Sequence, residues 1–218
     1  MNRVKIKKQA REMLKGNLWE ILKPMLVLAG IGFVIGLITG ATGGSTFDIS
    51  EEAMTATTQT SPAASILSFV FSLAMIPVEF GFLVYVVKFV RKEPYELKEL
   101  FAHFKKFWPI FALNFLVGLF TFLWSLLLII PGIIAALSYT MAMFIMVDGE
   151  EDAMACIRKS KAMMKGYKWD FVVFQLSFIL WHLLGIVTLG LAYIYVGPYL
   201  TVSQVLYYEE LKEVNPVK

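Results

Sequence analysis

The chain has 218 residues, of which 58% are hydrophobic and only 17% are charged, and its mean hydropathy is +0.67. A soluble domain carries about a quarter charged residues, so soluble packing cannot hide this much apolar surface and lipid must be the solvent. The net charge of +3 does not indicate a nucleic-acid partner, because the basic residues are confined to a few segments. The single cysteine, Cys156, makes neither an internal disulfide nor a zinc site, and an inert thiol is favoured over a reactive one.

The chain begins with a basic amphipathic segment, 1–23, in which Ile6, Ala10 and Met13 recur at helical spacing between lysines and arginines. We predict a helix that lies on the inner membrane surface with its cations toward anionic headgroups. The first membrane span then covers 24–41. A secretory signal peptide is the alternative, but the basic region is long for one.

A polar segment, 42–62, separates the first span from the second, which covers 63–87. This segment contains acidic residues but no lysine or arginine, and it predicts a flexible outer loop. The next segment, 88–106, is basic. It contains an apolar stripe at helical spacing that predicts a second interfacial helix: Leu97, Leu100, Phe101 and Phe104.

The central stretch, 107–147, contains about forty residues without a charged side chain. A helix crosses a bilayer with about 20 apolar residues, so this stretch is long enough for two crossings. Pro131 and Gly132 mark the expected turn, because proline stops a helix and glycine relieves a tight turn. We therefore predict a helical hairpin with spans at 107–130 and 132–147.

The remaining chain repeats this organisation. Segment 148–169 is acidic first and basic later, which suits the dipole of a third cytoplasmic helix. The fifth span is predicted at 171–189 and the sixth at 191–206, with Gly190 in the turn. A short charged tail, 207–218, follows.

The basic residues orient this arrangement. With the amino terminus inside, lysine and arginine number 7 in residues 1–23, 6 in 88–106, 5 in 158–168 and 2 in the tail, which accounts for all 20. No basic residue then lies on an outer loop, as the positive-inside rule requires. The sequence predicts one all-α membrane domain, 1–218. It has six spans in three hairpins, an amphipathic cytoplasmic helix before each hairpin, and both termini in the cytoplasm.

Two of the cytoplasmic segments share a motif. Residues 13–20 and 163–170 both match M-[LM]-K-G-x-x-W-[ED], 150 residues apart, and 104–108 is a weaker echo. Because each copy would begin on the same side, the repeats would be parallel. The alternative is that any interfacial lysine and tryptophan produce this pattern, since tryptophan favours that depth. The predicted interfacial anchors are Trp19, Trp108 and Trp169.

One carboxylate lies inside a predicted span. Glu79 is costly in lipid and is expected to face protein or water, and Pro77 would kink its helix. Asn114 and His182 lie at comparable depths of roughly 10–18 Å, so we predict that all three meet in the bundle interior. They would form a proton- or cation-linked substrate site, or else a protonated Glu79 would hydrogen-bond between helices.

Small residues define two further features. Gly32, Gly36 and Gly40 recur at every fourth position in the first span and predict close packing on another span of this chain or on a second copy. Gly197 and Pro198 predict a kink or break in the sixth span.

Motifs of most enzyme classes are absent. The sequence has no phosphate-cradling glycine loop, no histidine pair at metal spacing, no cysteine cluster and no nucleophile elbow. We therefore expect no enzymatic activity, no catalytic residue, no metal and no cofactor.

Several segments resemble a known family. They are Pro131-Gly132-Ile133-Ile134 with Tyr139, 162–169, 176–181, and Gly197-Pro198-Tyr199 with Tyr207. In these the chain resembles bacterial six-span membrane proteins catalogued as domain of unknown function 975, which are similar to the membrane domain of some glycerophosphodiester phosphodiesterases. The resemblance covers most of the chain. It implies a Gram-positive plasma-membrane protein but brings no activity and no catalytic residues.

Two functions remain open. Parallel repeats around a cavity and an intramembrane carboxylate favour a carrier or binder of a lipidic or small amphiphilic molecule. Short loops and the glycine stripe favour a non-transporting scaffold, assembly or immunity-type protein. The expected partners are membrane lipids and either another protein or a second copy of this chain, with no nucleic acid.

Overall fold

The computed structural model describes residues 2–42 and 62–216, and its regular elements are all helices within these two ranges. The predicted outer loop lies almost wholly outside the described residues. A 3-10 turn at His103–Lys106 follows the fourth helix. The α-helices are α1 (Arg3–Leu14), α2 (Leu18–Thr42), α3 (Pro62–Arg91), α4 (Glu99–Ala102), α5 (Phe107–Leu127), α6 (Ile129–Tyr139), α7 (Ala142–Val147), α8 (Ala153–Met163), α9 (Lys168–Leu176), α10 (Ile179–Val187) and α11 (Tyr193–Val214).

Among the described residues, five helical segments are long and apolar enough to cross a membrane. They are Leu18–Gly40, Pro62–Arg91, Glu99–Leu127, Ile129–Val147 and Lys168–Val187. The predicted sixth span, 191–206, lies in α11 except for its first two residues, and α11 is not among the five. Polar residues within α11 and the charged residues of its last two turns reduce its hydropathy. The sixth crossing therefore stays a prediction.

The first interfacial helix is shorter than the predicted 1–23. It ends at Leu14, and the chain turns through Gly16, whose φ is +89°. Glycine adopts this left-handed conformation without the strain that a Cβ atom causes. Residues from Leu18 onward belong to α2, with Pro24 inside that helix.

The second copy of the motif forms the same turn. Gly166 has a φ of +86°, and the Tyr167 N–H donates to the Met164 carbonyl at 3.1 Å. In the first copy the Asn17 N–H donates to the Leu14 carbonyl, also at 3.1 Å. The two turns thus share a backbone hydrogen bond at positions 150 residues apart. Internal repetition of whole units stays a prediction.

The turn of the central hairpin lies earlier than Pro131-Gly132. Leu128 is the extended residue between α5 and α6, and Pro131 lies in the first turn of α6. Proline is tolerated there because the first N–H groups of a helix have no intrahelical partner. A Cβ atom on Gly132 would lie 2.7 Å from the Ser125 Cα, so this glycine allows α6 to approach α5 closely.

Two of the predicted spans are interrupted helices. The fourth is broken between α6 and α7, and the fifth between α9 and α10. Ser160 of α8 provides hydrogen-bond partners for two backbone groups at the first break. Its hydroxyl donates to the Ser138 carbonyl at 2.7 Å and accepts from the Met141 N–H at 3.2 Å. Buried backbone groups need such partners, so α8 stabilises the interruption.

The second interfacial segment is also shorter than predicted. Helix α3 continues to Arg91, and the regular structure resumes only at Glu99. Of the predicted stripe, Leu100 is fully buried against the protein, whereas Phe101 and Phe104 are nearly half exposed. The interfacial location of this segment stays a prediction.

Helices α1, α4 and α8, which we call the three short helices, pack in a cyclic order. Helix α4 packs on α3, α8 packs on α5, α6 and α7, and α1 packs on α11 at the other end of the chain. Helix α3 also contacts both α7 and α11. Helix α8 therefore lies on the helices that precede it, whereas α4 lies on α3, and α1 joins the start of the chain to its last helix.

The buried core lies at the end of the bundle that contains α1, α4, α8 and the last turns of α11, which we call the basic end. Its largest fully buried side chains include Tyr85, Phe174, Phe178, Tyr199, Tyr207 and Tyr208. In α3 the buried residues run from Pro77 to Phe89, with only Ala64 buried earlier. In the far halves of α2, α3 and α5, Phe33, Phe69 and Phe122 are more than 60% exposed.

The close packing of α4 on α3 depends on Gly81. A Cβ atom there would contact the Glu99 carbonyl and lie 2.6 Å from the Leu100 carbonyl oxygen, both in backbone that cannot move freely. We expect Gly81→Ala to lower the free energy of unfolding by about 1–3 kcal/mol, as overpacking does. Unfolding in mixed micelles titrated with dodecyl sulfate measures this change.

Gly36→Ala is the matched control, because a Cβ atom on Gly36 meets no atom within 4 Å. Alanine has the higher helix propensity, so this variant gains up to about 1 kcal/mol. Equal unfolding curves for the two variants would contradict the close packing of α4 on α3.

Candidate functional site

The three polar residues predicted inside the spans do not meet in the bundle interior. Glu79, Asn114 and His182 are all exposed on their helices. The Asn114 amide donates to the Ile110 carbonyl one turn earlier, at 3.2 Å. The His182 ring contacts the Tyr193 hydroxyl at 3.1 Å. The expectation of an interior site was wrong about orientation, because depth along a helix says nothing about which face a residue occupies.

The glycine stripe of α2 is open in the described part of the chain. A Cβ atom on Gly32, Gly36 or Gly40 would meet nothing within 4 Å. Packing of this stripe on another span of the same chain is therefore not observed among the described residues. A second copy or another protein remains the alternative.

The predicted kink residues lie inside continuous helices. Pro77 is buried within α3, and Pro198 is buried within α11, where no break follows it. Gly197 is close to the Met25 side chain, since an added Cβ atom would lie 2.7 Å from the Met25 Cε. Here the small residue serves the contact between α11 and α2.

A charged cluster joins three helices at the basic end. Arg91, at the end of α3, lies 2.6 Å from Asp148, at the end of α7, and 2.7 Å from Glu209 of α11. Asp148 also accepts hydrogen bonds of 2.6 Å from the Tyr208 hydroxyl and from Lys212. We call these five residues the Asp148 cluster.

The cluster keeps Asp148 ionised. Burial opposes the charge, but hydrogen bonds from Lys212, Tyr208 and Arg91 outweigh it and hold the pKa of Asp148 below its usual value. Burial, followed by the neighbouring Asp148 carboxylate, raises the pKa of Tyr208, which therefore stays a hydrogen-bond donor. The arrangement suits structural tethering better than acid–base catalysis, because the carboxylate is already saturated with donors.

A pocket of about 410 Å³ opens beside the cluster. Glu150 and Lys159 line it and are paired at 2.8 Å, so its charged groups largely satisfy one another. A second pocket, of about 660 Å³, lies between α1 and the end of α3. Neither pocket is lined by Glu79, Asn114 or His182.

Aromatic side chains form a continuous face between α10 and α11, which we call the aromatic face: Phe178, Trp181, Tyr195 and Tyr199. The Tyr199 ring centroid lies 5.4 Å from that of Phe178, 5.6 Å from Trp181 and 6.1 Å from Tyr195. Phe178 and Tyr199 are buried, whereas Trp181 and Tyr195 are partly exposed. The face thus combines a rigid inner layer with accessible outer rings.

A model of the family described as "Protein of unknown function (DUF975)" matches residues 1–136 and again residues 126–215. The chain belongs to this family. No curated protein and no solved structure matches it. The family description names no activity, so membership in DUF975 adds no residue role to the geometry above.

The sequence did not predict the Asp148 cluster or the aromatic face of this DUF975 protein. Asp148 had a readable signal, since it is the first charge after a long uncharged stretch. Its partners Arg91 and Lys212 lie 57 and 64 residues away, and no local pattern connects them. The aromatic face had no signal, because tyrosines and tryptophans are common at membrane interfaces.

Asp148→Asn is expected to destabilise the protein by about 1–3 kcal/mol, because Arg91 and Lys212 lose their shared anion. The pKa of Asp148 is lowered by folding, so its contribution is present at neutral pH and disappears as the pH falls through that lowered value. The difference between wild type and variant in dodecyl sulfate unfolding should therefore shrink below about pH 4.

Glu151→Gln is the control for charge loss. Glu151 pairs with Lys106, and the two side chains are 63% and 53% exposed, respectively. This variant should cost less than about 1 kcal/mol. A cost for Asp148→Asn no larger than this would contradict the structural role of the cluster.

Cys156 is expected to be inert in the folded protein. Its side chain is buried, and burial together with Glu150 and Asp152 raises the pKa of the thiol to about 11. Maleimide at pH 7.5 should label it at least roughly a hundredfold more slowly than a free thiol. Labelling after denaturation supplies the control, and native labelling at the free-thiol rate would contradict the burial.

Proposed function

We propose that this protein is a non-enzymatic membrane protein that binds a lipidic or small amphiphilic molecule. The observation that carries this proposal is the aromatic face, where partly exposed Trp181 and Tyr195 rest on buried Phe178 and Tyr199. Tryptophan and tyrosine present a large apolar surface with a polar tip, which suits a ligand that is apolar at one end and polar at the other.

The surroundings of the aromatic face support an amphiphile. Leu180 and Ile194 precede Trp181 and Tyr195 in the chain and are 73% and 56% exposed, so further apolar surface is available on the same two helices. His182 and the Tyr193 hydroxyl form a polar contact on the same two helices. His182, one of the three residues predicted to bind a substrate, therefore lies close to the proposed site.

Binding is favoured over transport by the same geometry. A coupled carrier needs polar groups that face a shared path, and Glu79 and Asn114 lie exposed on separate helices, α3 and α5. The intramembrane carboxylate was the main support for transport. We therefore retain the binding part of the carrier hypothesis and leave out the coupling.

A scaffold or assembly protein is the second candidate. The open stripe of Gly32, Gly36 and Gly40 supports it, because small residues at this spacing allow close helix approach. The partner would be another membrane protein or a second copy of this chain.

We also propose the bacterial plasma membrane as the location, with six spans and cytoplasmic termini. The supporting observation is the distribution of lysine and arginine, which all fall on one side if the chain crosses six times. The five apolar helical segments are compatible with it.

Native mass spectrometry of the protein, released gently from its own membrane, tests the binding proposal. We expect a defined small-molecule or lipid adduct on the wild type. Trp181→Ala should reduce the fraction that carries it by roughly tenfold or more, since an aromatic contact contributes about 1.5 kcal/mol. Trp124→Ala is the matched control on another apolar helix, where the ring is 46% exposed.

Glu79→Gln should leave the adduct unchanged, because no contact among the described residues joins Glu79 to the aromatic face. A bare wild-type monomer would overturn the binding proposal. A protein complex that survives Trp181→Ala would support the scaffold candidate instead. Loss of the adduct in Glu79→Gln alone would restore the carboxylate as the site.

A further inference from the structure

Three cations form a row along α1. Arg3, Lys7 and Arg11 are spaced four residues apart, which places them on one side of the helix. Ile6 and Ala10 precede Lys7 and Arg11 by one residue and are fully buried, so the row borders the surface that α1 packs on the protein. The cations are therefore held next to α9, α10 and α11.

Each cation of the row contacts a different element. Arg3 pairs with Asp170 of α9 at 3.4 Å. The Lys7 ammonium donates to the Ser177 carbonyl at 3.3 Å, in the break between α9 and α10, and lies 4.8 Å from the centre of the Phe178 ring. The Arg11 guanidinium interacts with the Tyr199 hydroxyl of α11. Lys7 and Arg11 thus reach the two buried members of the aromatic face.

The charges around this row are unbalanced. Two nearby carboxylates, Asp170 and Glu210, lie at the Arg3 end, where Glu210 accepts from the Asn2 N–H. Glu12 follows Arg11 in the chain but pairs with Lys8 at 3.9 Å. Among the described residues, neither Lys7 nor Arg11 forms an ion pair with a carboxylate. Burial, then Arg3 and Arg11, lower the pKa of Lys7, because neighbouring cations disfavour its charged form.

Two cations held close together without an anion are complementary to a phosphate group. Arginine presents a planar fork that matches phosphate oxygens, and lysine adds a compact charge with donors beyond the one used at Ser177. Both lie at the edge of an apolar aromatic surface. A free anion would use only the cations, whereas a phospholipid would use the cations and the rings.

We propose that Lys7 and Arg11 bind the phosphate group of an anionic phospholipid whose acyl chains lie along Trp181 and Tyr195. This inference rests on the proposed function and specifies the ligand class of the aromatic face. It also gives α1 a role beyond packing, since the helix places a headgroup site at the end of the face.

Headgroup competition tests the proposal. The purified full chain in detergent is mixed with equal amounts of dioleoylphosphatidylglycerol and dioleoylphosphatidylcholine, and native mass spectrometry counts each adduct. The wild type should prefer the anionic lipid. The double variant Lys7→Gln with Arg11→Gln should lose that preference by roughly tenfold or more.

Lys5→Gln with Lys8→Gln is the matched control. It removes the same charge from the same helix, and both lysines are exposed on the other side of α1. It should keep the preference of the wild type. Lys7→Arg with Arg11→Lys retains both charges and should keep most of the preference, which separates the charge from a folding defect.

The outcomes separate this inference from the proposed function. Wild-type adducts without headgroup preference would overturn the phosphate site and leave the amphiphile proposal standing. The absence of any lipid adduct would overturn both. If the Lys5/Lys8 and Lys7/Arg11 variants lost the preference for the anionic lipid equally, unspecific surface charge would explain the preference and the proposed site would be contradicted. Displacement of the lipid by millimolar inorganic phosphate would show an ion site and not a lipid site.

Discussion

The contact of Asp148 with Arg91, Tyr208 and Lys212 holds together the ends of three helices that are far apart in sequence. Lipid is as apolar as a side-chain core, so the hydrophobic effect gives little drive for helices to associate within it. Packing and polar contacts must supply that drive. In this protein both are concentrated at the basic end, where α3, α7 and α11 meet and the three short helices lie against them.

At the basic end, the short helices connect parts of the bundle that are distant in sequence. Helix α1 packs on α11, so the first residues of the chain depend on the last helix for their buried face. Ser160 of α8 likewise forms hydrogen bonds with the backbone at the break between α6 and α7. In the far halves of α2, α3 and α5, large apolar side chains such as Phe33, Phe69 and Phe122 are exposed among the described residues.

Outside the Asp148 cluster, two sets of polar residues have different consequences. Glu79, Asn114 and His182 are exposed on three separate helices, and the structure does not assemble them into a path. The row formed by Arg3, Lys7 and Arg11 is instead held in place by the buried side of α1, next to aromatic rings. The proposed lipid site therefore uses this row, because neighbouring helices fix the positions of its charges and of the adjacent apolar surface.

The sequence alone determined the all-helical class, the apolar segments, the basic segments and the turn at Gly190, because all of these follow from local composition and backbone freedom. It placed Gly16 and Gly166 inside helices, whereas both lie in turns with a positive φ. It placed the central turn three residues late, since proline is also tolerated in a first helical turn. Tertiary structure decided which face of each helix is buried, and with it the exposure of Glu79 and the position of Lys7. In water, an apolar stripe shows which side of a helix faces the core. In lipid, the buried and the exposed faces are both apolar, so that stripe disappears and only contacts between distant segments set the rotation of each span.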